Sequence, residues 1–344
     1  MTRPPMPPAA MIVAFRRAPR NPVVALQAGK TIFDGGNTQL ALAVWSIADD
    51  LSQVTRIKGD ERAPGELRQL SAFADEKLRD HFTVLHASAV AEIEAETGDD
   101  LARIRAAIWP LTHNAPFEFR TPFQKPVIFY VPDLPAMEVT PNELIAWHRP
   151  LEDAFATICG EYFEVFDSGI GEQPYVPGDT KSPEWRVLRG DLAWGSIHLW
   201  KEAKPTDKLA SFPRTAAALA GADLVRISGV PMEAFFSRLR PGAHIPPHYG
   251  LTNARLTVHL PLQIPEDCAI KVGDTINVWE EGKIIAFDDS YQHEAWNRSG
   301  RDRVVLIFEC HHPDLSLSER QAIEHSFAVR QNWLDNRFTL TGLR

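Results

Sequence analysis

The sequence predicts a mainly β core with flanking helices, preceded by a helical N-terminal region. Residues 255–260 alternate strictly between polar and apolar side chains, as a strand does when one of its faces is buried. Residues 304–308 form a continuous apolar run rich in β-branched side chains, which is typical of a strand inside a core. Residues 67–78 carry apolar side chains at helical spacing, so the segment before the strands is expected to be helical.

The alternating strand has one face that carries polar groups. Arg255, Thr257 and His259 fall on that face, and the opposite face is wholly apolar. A guanidinium and an imidazole on one side of a strand, with leucine and valine on the other, indicate a strand that lines a polar cavity. We therefore expect the functional site on this face.

Two further histidines lie in or beside turns near this strand. His248 follows a Pro241-Gly242 turn signal, in which glycine tolerates a positive φ. Arg303 lies ten residues after His293, and a turn signal falls midway between them, so both residues lie at about the same height on consecutive strands. They face each other either across a hairpin, with Cβ atoms about 5 Å apart, or across a corner between sheets about 10 Å apart. Both arrangements bring a cation near His293.

Composition and charge exclude several classes of partner. The 44% hydrophobic and 24% charged residues are those of a soluble globular protein. A net charge of −9 argues against nucleic acid and anionic membrane as partners, because both are negatively charged. Cys159, Cys268 and Cys310 are far apart, which fits a reducing compartment without a structural zinc site. No secretion signal or membrane span is found, so the expected location is cytoplasmic.

The chain is expected to divide near residue 118. Residues 1–118 are predicted to be the helical region, with Gly98 ending a long helix, and residues 119–344 to hold the β core and its flanking helices. Thr140-Pro141-Asn142-Glu143 has the residues of a helix start, and Ser316-Leu317-Ser318-Glu319 predicts a C-terminal helix.

The histidines alone are a weak indication of a metal. Non-haem iron oxygenases use two histidines and a carboxylate, usually as His-x-Asp/Glu followed by a distant histidine. The second residue after His248 is Gly250, so that carboxylate is missing. From the residue pattern alone, His248 and His293 can equally be ordinary core or surface histidines.

Several longer segments make a more specific pattern within residues 120–325. They are Pro241-Gly242, His248-Tyr249-Gly250, Thr252-Asn253-Ala254-Arg255-Leu256, His259-Leu260, Trp279-Glu280-Glu281-Gly282-Lys283, Phe287-Asp288-Asp289-Ser290, His293-Glu294 and His312-Pro313. In this order they resemble the catalytic domain of the aspartyl/asparaginyl β-hydroxylase family of iron(II)- and 2-oxoglutarate-dependent dioxygenases. The resemblance implies a double-stranded β-helix, or jelly roll, for the core. It does not extend into the first 118 residues.

The resemblance also implies a set of site residues. His248 and His293 match the family's iron ligands, and similar members also have glycine at the position of Gly250, with water in place of the carboxylate. Arg303 and Ser237 match the residues that bind the distal carboxylate of 2-oxoglutarate, a task that suits the planar guanidinium. His259 matches a histidine near the oxoacid end of this cosubstrate.

Substrate recognition follows the family less closely. Arg255 matches an arginine that holds the carboxylate of an aspartyl substrate, whereas Thr257 stands where relatives carry a second arginine. The loss of that guanidinium removes a charge-assisted contact of about 1.5–3 kcal/mol. The substrate is therefore expected to lack an acidic side chain or to be smaller than a folded peptide.

The expected activity is a 2-oxoglutarate-dependent hydroxylation. It would consume O₂ and insert oxygen at an unactivated C–H bond, at the β-carbon of a small or peptidyl amino acid or a compound derived from one. Two alternatives stay open. Chloride could occupy the iron position that the missing carboxylate leaves, which would make the protein a halogenase. The cavity could also belong to a cupin-like binding protein without turnover.

Overall fold

The computed structural model describes residues 7–114, 116–227 and 229–344. The chain forms two compact units. The first contains the described residues up to Arg105, then Leu111–Phe117 and Leu317–Arg344, and the second contains Ala106–Pro110 and Glu118–Ser316. The first unit is helical and the second combines antiparallel sheets with short helices.

The α-helices of the described residues share no repeat of length or spacing. In chain order they are α1 (Pro8–Arg17), α2 (Pro22–Asp34), α3 (Thr38–Ser52), α4 (Gly65–Thr97), α5 (Ala102–Arg105), α6 (His148–Asp153), α7 (Phe155–Asp167), α8 (Pro213–Leu219) and α9 (Leu317–Thr341). None of these helices combines the length and the apolar character that crossing a bilayer requires, within the residues that the structure describes.

Local signals set the ends of the helices in the first unit. The side chain of Asn21 accepts hydrogen bonds from the first backbone N–H groups of α2, and a proline occupies the first turn. Gly98 ends α4 in the left-handed conformation, with φ 75°, as predicted. Gly29 in α2 lies against the indole ring of the fully buried Trp45, where a Cβ would overlap that ring. The glycine therefore allows α2 and α3 to pack closely.

The C-terminal helix α9 belongs to the helical unit. Arg103 forms an ion pair with Glu319, with 2.7 Å between Nη2 and Oε2. Arg337 donates to Ser46 Oγ over 2.7 Å. The sequence analysis assigns residues 317–344 to the second domain. The capping signal there predicts that a helix begins, but it does not indicate on which core that helix packs. The boundary at residue 118 itself stays a prediction.

The strands of the described residues lie in the second unit. They are β1 (Val139–Thr140), β2 (Gln173–Pro174), β3 (Trp194–Lys201), β4 (Lys204–Pro205), β5 (Arg226–Ile227), β6 (Val230–Pro231), β7 (Ala234–Leu239), β8 (His244–His248), β9 (Arg255–Gln263), β10 (Cys268–Val272), β11 (Thr275–Asn277), β12 (Ile285–Phe287), β13 (His293–Asn297) and β14 (Arg303–His311).

Two antiparallel sheets make up most of this unit. Among the described residues, one has eight strands in the order β1-β12-β9-β14-β7-β3-β2, with β4 on β3, and the other has four in the order β11-β10-β13-β8. Side chains from both sheets, such as Leu239 and Ile270, share one apolar cluster. Helices α7 and α8 contribute Ile158 and Leu219 to a second cluster with the outer face of the large sheet, where β9 presents its apolar side. The predicted β core with flanking helices and the predicted helical N-terminal region are confirmed.

Two local predictions are decided by this topology. His293 begins β13 in the four-stranded sheet and Arg303 begins β14 in the eight-stranded sheet, so the chain turns a corner between sheets instead of forming a hairpin. The helix start predicted at Thr140 is wrong. Thr140 is buried in β1 and pairs with Ala286, and only a single 3₁₀ turn, Asn142–Leu144, follows.

Candidate active site

A cavity of about 290 Å³ is lined by side chains from both sheets. The polar face of β9, predicted from its alternation, forms one wall of this cavity through Arg255, Thr257 and His259. The charged and ionisable lining residues are His248, His259, His293, Arg255, Arg303, Glu233, Asp289 and Glu309, and aromatic side chains fill the gaps between them.

His248 and His293 lie side by side in the four-stranded sheet. They are Cα partners in the register of β8 and β13, and their ring centroids are 4.0 Å apart. β8 contains Pro246, which lacks an N–H, and it tolerates this residue because it is the edge strand of its sheet. Two antiparallel strands thus bring together histidines that are far apart in the sequence.

Backbone contacts fix the tautomer of both rings. His248 Nδ1 lies 2.8 Å from Pro246 O, and His293 Nδ1 lies 3.0 Å from Tyr291 O. A carbonyl oxygen only accepts, so each Nδ1 carries the proton and each Nε2 keeps its lone pair. Burial, followed by the neighbouring His293, lowers the pKa of His248 to about 3, and burial lowers the pKa of His293 to about 4. Both rings are therefore neutral near pH 7, which is the form that binds a metal.

The space beside Gly250 is occupied by a carboxylate from another segment. A Cβ on Gly250 would overlap the carboxyl group of Asp289, and the backbone N–H of Gly250 donates to Asp289 O over 2.6 Å. Asp289 Oδ2 accepts from Thr257 Oγ1 over 3.2 Å, and Oδ1 is buried without a partner in the described part of the chain. Burial raises the pKa of Asp289. The φ of Gly250 is not positive, so its backbone conformation does not require glycine. The close packing of Asp289 does, because a Cβ would overlap its carboxyl group.

Arg303 is a buried cation at one end of the cavity. It is 1% exposed, its guanidinium lies 4.8 Å from the Trp279 ring centroid, and Nη1 donates to Ser237 Oγ over 3.3 Å. No carboxylate in the described residues pairs with it, and its Nε is buried without a partner. Burial lowers its pKa to about 10, so it remains charged at pH 7.

Ser237 and His259, near Arg303, each have a polar atom that is available for a further hydrogen bond. Ser237 Oγ accepts from Trp194 Nε1 over 3.0 Å as well as from Arg303, so its own hydrogen is available to an acceptor. His259 is buried, and its Nδ1 has no partner among the described residues. Burial and the charge of Arg303 lower the pKa of His259 well below its usual value, which keeps the ring neutral.

Arg255 has the opposite surroundings. Its Nη1 lies 2.7 Å from Glu309 Oε2, and Glu233 and Asp289 also act on it electrostatically. Burial alone would lower the pKa of Arg255, but these three carboxylates together raise it. The substrate-binding arginine predicted from sequence is therefore already engaged by an acid of its own chain.

The structure brings the predicted site residues together. His248, His293, His259, Arg303 and Arg255 line the same cavity, and Ser237 lies directly behind Arg303. Within residues 7–114, 116–227 and 229–344, no group of three histidine, cysteine or acidic side chains is placed to hold a metal, so the histidines stand as a pair. The assignment of these residues to iron, cosubstrate and substrate stays a prediction.

Sequence reasoning missed the acidic part of the cavity. Glu309 directly follows the apolar run 304–308 in β14 and is given no role in the sequence analysis, although a single carboxylate in a buried strand needs a partner and is a recognisable signal. Asp289 belongs to the matched segment Phe287-Asp288-Asp289-Ser290, but the resemblance assigns it no role in the site. Glu233 lies outside every matched segment, and no local pattern points to it.

These observations define a mixed α and antiparallel β protein with a histidine pair in an aromatic, charged cavity. Residues 155–313 match the family model "Aspartyl/Asparaginyl beta-hydroxylase". All of the candidate site residues fall within this segment. The family resemblance found from the motifs is thereby confirmed.

Relatives carry related names but differ in length. An aspartate beta-hydroxylase domain-containing protein 2 of Xenopus tropicalis is 32% identical over 216 residues, covering 61% of this chain and 56% of that protein. The aspartyl/asparaginyl beta-hydroxylase of Homo sapiens is 32% identical over 187 residues, 51% of this chain and 22% of that protein. An ornithine lipid ester-linked acyl 2-hydroxylase of Rhizobium tropici is 35% identical over 167 residues, 47% of this chain and 56% of that protein.

The chain thus spans only 22% to 56% of the length of these three relatives, whose names describe hydroxylases. Among solved structures, a 2OG-Fe(II) oxygenase family oxidoreductase from Burkholderia pseudomallei is 11% identical, covers 46% of this chain and 80% of that chain, and has a TM-score of 0.31. A similarity of this degree carries no conclusion about function.

Proposed function

We propose that the protein is an iron(II)- and 2-oxoglutarate-dependent dioxygenase that hydroxylates an unactivated C–H bond of an amino acid or an amino-acid-derived substrate, at the β-carbon. The observation that carries this proposal is the pairing of two features in one cavity. The neutral imidazoles of His248 and His293 leave Nε2 for a ligand, because Nδ1 of each ring is held by a backbone carbonyl, and the buried Arg303 has no carboxylate partner among the described residues. The first feature suits a metal and the second suits an anionic cosubstrate.

The residues present fit an iron(II) ion. His248 and His293 would bind it through Nε2, because Nδ1 of each ring is held by a backbone carbonyl. Nitrogen ligands suit iron, and with only two of them from the protein the ion would remain accessible to an oxoacid. When bound, iron(II) with 2-oxoglutarate and O₂ supplies the oxidation of a C–H bond, and 2-oxoglutarate becomes succinate and CO₂.

The residues also fit 2-oxoglutarate. Arg303 would hold the distal carboxylate, since a buried guanidinium without an anion is costly and a carboxylate matches its fork. Ser237 would donate its free hydroxyl hydrogen to the same carboxylate. His259, which is neutral and whose Nδ1 has no partner in the described part of the chain, would lie near the oxoacid end.

The fold proposal accompanies the functional one. We take the eight-stranded and four-stranded antiparallel sheets as the two halves of a double-stranded β-helix. The shared apolar cluster and the cavity lined from both sheets support this architecture. Its walls position the site and exclude water, because Tyr175, Trp185, Trp194 and Phe235 line the cavity beside the polar groups.

Halogenation is disfavoured by the position of Asp289. A halogenase needs a chloride ion in the iron position that a carboxylate would otherwise fill, and anion donors around it. Here the space beside Gly250 is occupied by the Asp289 carboxyl group, with an unpartnered oxygen in the described residues. A negative group at this place repels chloride.

The proposal is tested by incubating the purified protein with iron(II), 2-oxoglutarate and a panel of amino acids and peptides. Succinate formation and product mass are followed in chloride and in chloride-free buffer, with ¹⁸O₂ as the oxygen source. We expect succinate coupled to a product that gains one atom of ¹⁸O, without dependence on chloride. A chlorinated product would instead establish halogenation.

A binding protein without turnover gives a different result. It would bind 2-oxoglutarate through Arg303 but form no succinate with any member of the panel or without a substrate. Failure of both 2-oxoglutarate binding and succinate formation would refute the proposal as a whole.

A further inference from the structure

The Arg255 end of the cavity holds more negative than positive charge. Glu233 precedes β7, Asp289 lies in the turn before β13, and Glu309 lies in β14, so three separate segments bring carboxylates to one guanidinium. Glu309 is 8% exposed and forms an ion pair with Arg255. A convergence of this kind from distant parts of the chain is costly unless a ligand offsets it.

A count of the charges in the cavity indicates the sign of the charge on a ligand that would balance them. Glu233, Asp289 and Glu309 face Arg255 and Arg303, which leaves one net negative charge when all five are ionised. Iron(II) and the 2-oxoglutarate dianion of the proposed function cancel each other and do not change this sum. A substrate with one net positive charge brings it to zero, whereas a zwitterion leaves it at −1 and aspartate makes it −2.

Unpartnered oxygens provide a second, independent observation. In the described residues, Glu309 uses Oε2 for Arg255, and its Oε1 accepts no hydrogen bond. Asp289 Oδ1 is buried and also lacks a donor within the described part of the chain. Glu233 Oε1 lies 3.1 Å from His198 Nε2, which leaves Oε2 without a donor among the described residues. One buried carboxylate oxygen without a donor, and two more that line the cavity, indicate a place for a ligand that donates several hydrogen bonds.

We infer that the substrate of this cavity carries a net positive charge, in the form of a basic amino-acid side chain whose ammonium or guanidinium group binds Glu309 and Glu233. An ammonium group offers three N–H donors and a guanidinium five, and both find acceptors in the two carboxylates. The aromatic lining, Tyr175 and Phe235 among it, provides further surface for the side chain and its cation. This inference rests on the proposed function and names its substrate class.

The raised pKa of Glu309 agrees with the inference. Burial raises the pKa of Glu309 to about 7 although Arg255 acts to lower it, so one ion pair does not offset the loss of solvation. A second cation beside this carboxylate would stabilise its charged form. Arg255, held by Glu309, then serves as a fixed part of the acidic wall instead of binding an acidic side chain.

The test uses matched ligands that differ in one charge. The full-length protein is loaded with iron(II) and 2-oxoglutarate under exclusion of oxygen, so that binding is measured by calorimetry without turnover. Lysine and ornithine are compared with norleucine and norvaline, which lack the side-chain ammonium group, and with aspartate. We expect lysine or ornithine to bind at least about tenfold more tightly than its uncharged counterpart, as charge-assisted hydrogen bonds imply, and aspartate to bind most weakly.

Two variants and one control locate the effect. Glu309→Gln and Glu233→Gln should each reduce the preference for the basic ligand about tenfold, and Glu309→Gln should increase affinity for aspartate because it releases Arg255. Glu164→Gln, at an exposed position of α7, should change nothing. Binding of 2-oxoglutarate without any amino acid reports separately on folding and on the proposed function.

The outcomes separate the two proposals. If 2-oxoglutarate binds but norleucine or aspartate binds as tightly as lysine, the inference about substrate charge is overturned while the proposed function stands. If 2-oxoglutarate does not bind, the proposed function fails. A preference for lysine that both glutamine variants leave intact would place the cation elsewhere and overturn the assignment to Glu309 and Glu233.

Discussion

Two arginines line the same cavity in opposite electrostatic surroundings. Arg303 has an aromatic ring and a serine hydroxyl beside it and no carboxylate partner among the described residues. Arg255 faces three carboxylates and is bound to one of them. The surroundings of Arg303 therefore favour an anion at its end of the cavity, and the surroundings of Arg255 favour a cation at the other end.

The difference teaches how a cavity can distinguish a cosubstrate from a substrate. Under the proposed function, a dianionic oxoacid would be attracted to Arg303 and repelled from the acidic group around Arg255. A basic substrate would have the reverse preference. Opposite charges at the two ends would thus disfavour binding of either molecule in the wrong position. Repulsion would then contribute to specificity together with attraction.

The largest effect is expected from the histidine pair that lies between these ends. His248→Ala or His293→Ala leaves a single imidazole, so iron binding and succinate formation should both be abolished. Iron titration and a succinate assay measure this. His244→Ala is the matched control, because His244 lies on the same strand β8 with half of its side chain exposed and pairs with Glu294. Wild-type iron affinity in either of the first two variants would remove the histidines from the site.

The next effect concerns the anion end. Arg303→Ala should raise the KM for 2-oxoglutarate by the equivalent of about 2–5 kcal/mol, because a buried carboxylate loses its charged partner. Arg303→Lys should recover only part, since an ammonium group cannot make the two parallel hydrogen bonds of a guanidinium. The measurement is succinate formation as a function of 2-oxoglutarate concentration.

An exposed arginine provides the control for this pair of variants. Arg301→Ala removes the same charge two residues away, at an exposed position, and should leave the KM unchanged. Equal KM values for wild type and Arg303→Ala would show that the cosubstrate binds elsewhere.

The polarity of the other end can be altered by one residue. Thr257 lines the cavity and donates to Asp289, and Thr257→Arg would add a cation to the acidic group. Wild type should turn over aspartyl peptides weakly or not at all. The variant should bind them about tenfold or more tightly, in keeping with a charge-assisted contact. Thr257→Gln adds bulk without charge and should not. Efficient hydroxylation of aspartyl peptides by wild type would contradict the account of this end.

A smaller effect is expected in the stability of the cofactor-free protein. The pKa of Glu309 is about 7 in the folded state and ordinary, 4.5, when unfolded, so the folded state binds the proton more tightly. Stability is therefore lost as the pH rises from about 4.5 through about 7. Glu309→Gln should remove on the order of 1–2 kcal/mol of this loss between pH 5 and pH 8.

Urea unfolding at the two pH values measures this contribution. Glu164→Gln should keep the pH dependence of wild type, because Glu164 lies on the surface and pairs with Arg214 there. If Glu309→Gln also keeps it, Glu309 does not titrate as its burial implies.

Much of the fold could be predicted because its signals are local. The alternation at residues 255–260 placed Arg255, Thr257 and His259 on one face, and the structure puts all three in the cavity wall. Thr140 shows the limit of this reasoning. Its capping signal was overridden when the residue paired with Ala286 across the sheet, a contact between distant segments that no local pattern reports.

In the candidate site, too, some features have local sequence signals and others depend on contacts between distant segments. The histidines and Arg303 were predictable from ordered motifs, whereas the engagement of Arg255 by Glu309 depends on the register of β9 against β14. The closeness of Asp289 to Gly250 likewise follows from tertiary packing. Sequence could identify which residues matter at the anion end but not that the other arginine is already paired.

The contrast between the two arginines is tested most directly by titrating 2-oxoglutarate into iron(II)-loaded protein without oxygen, by calorimetry. Wild type, Arg303→Ala and Arg255→Ala are compared under the same conditions. The account predicts a strong loss of 2-oxoglutarate affinity in Arg303→Ala and little change in Arg255→Ala. An equal loss in both variants, or a loss confined to Arg255→Ala, would contradict it.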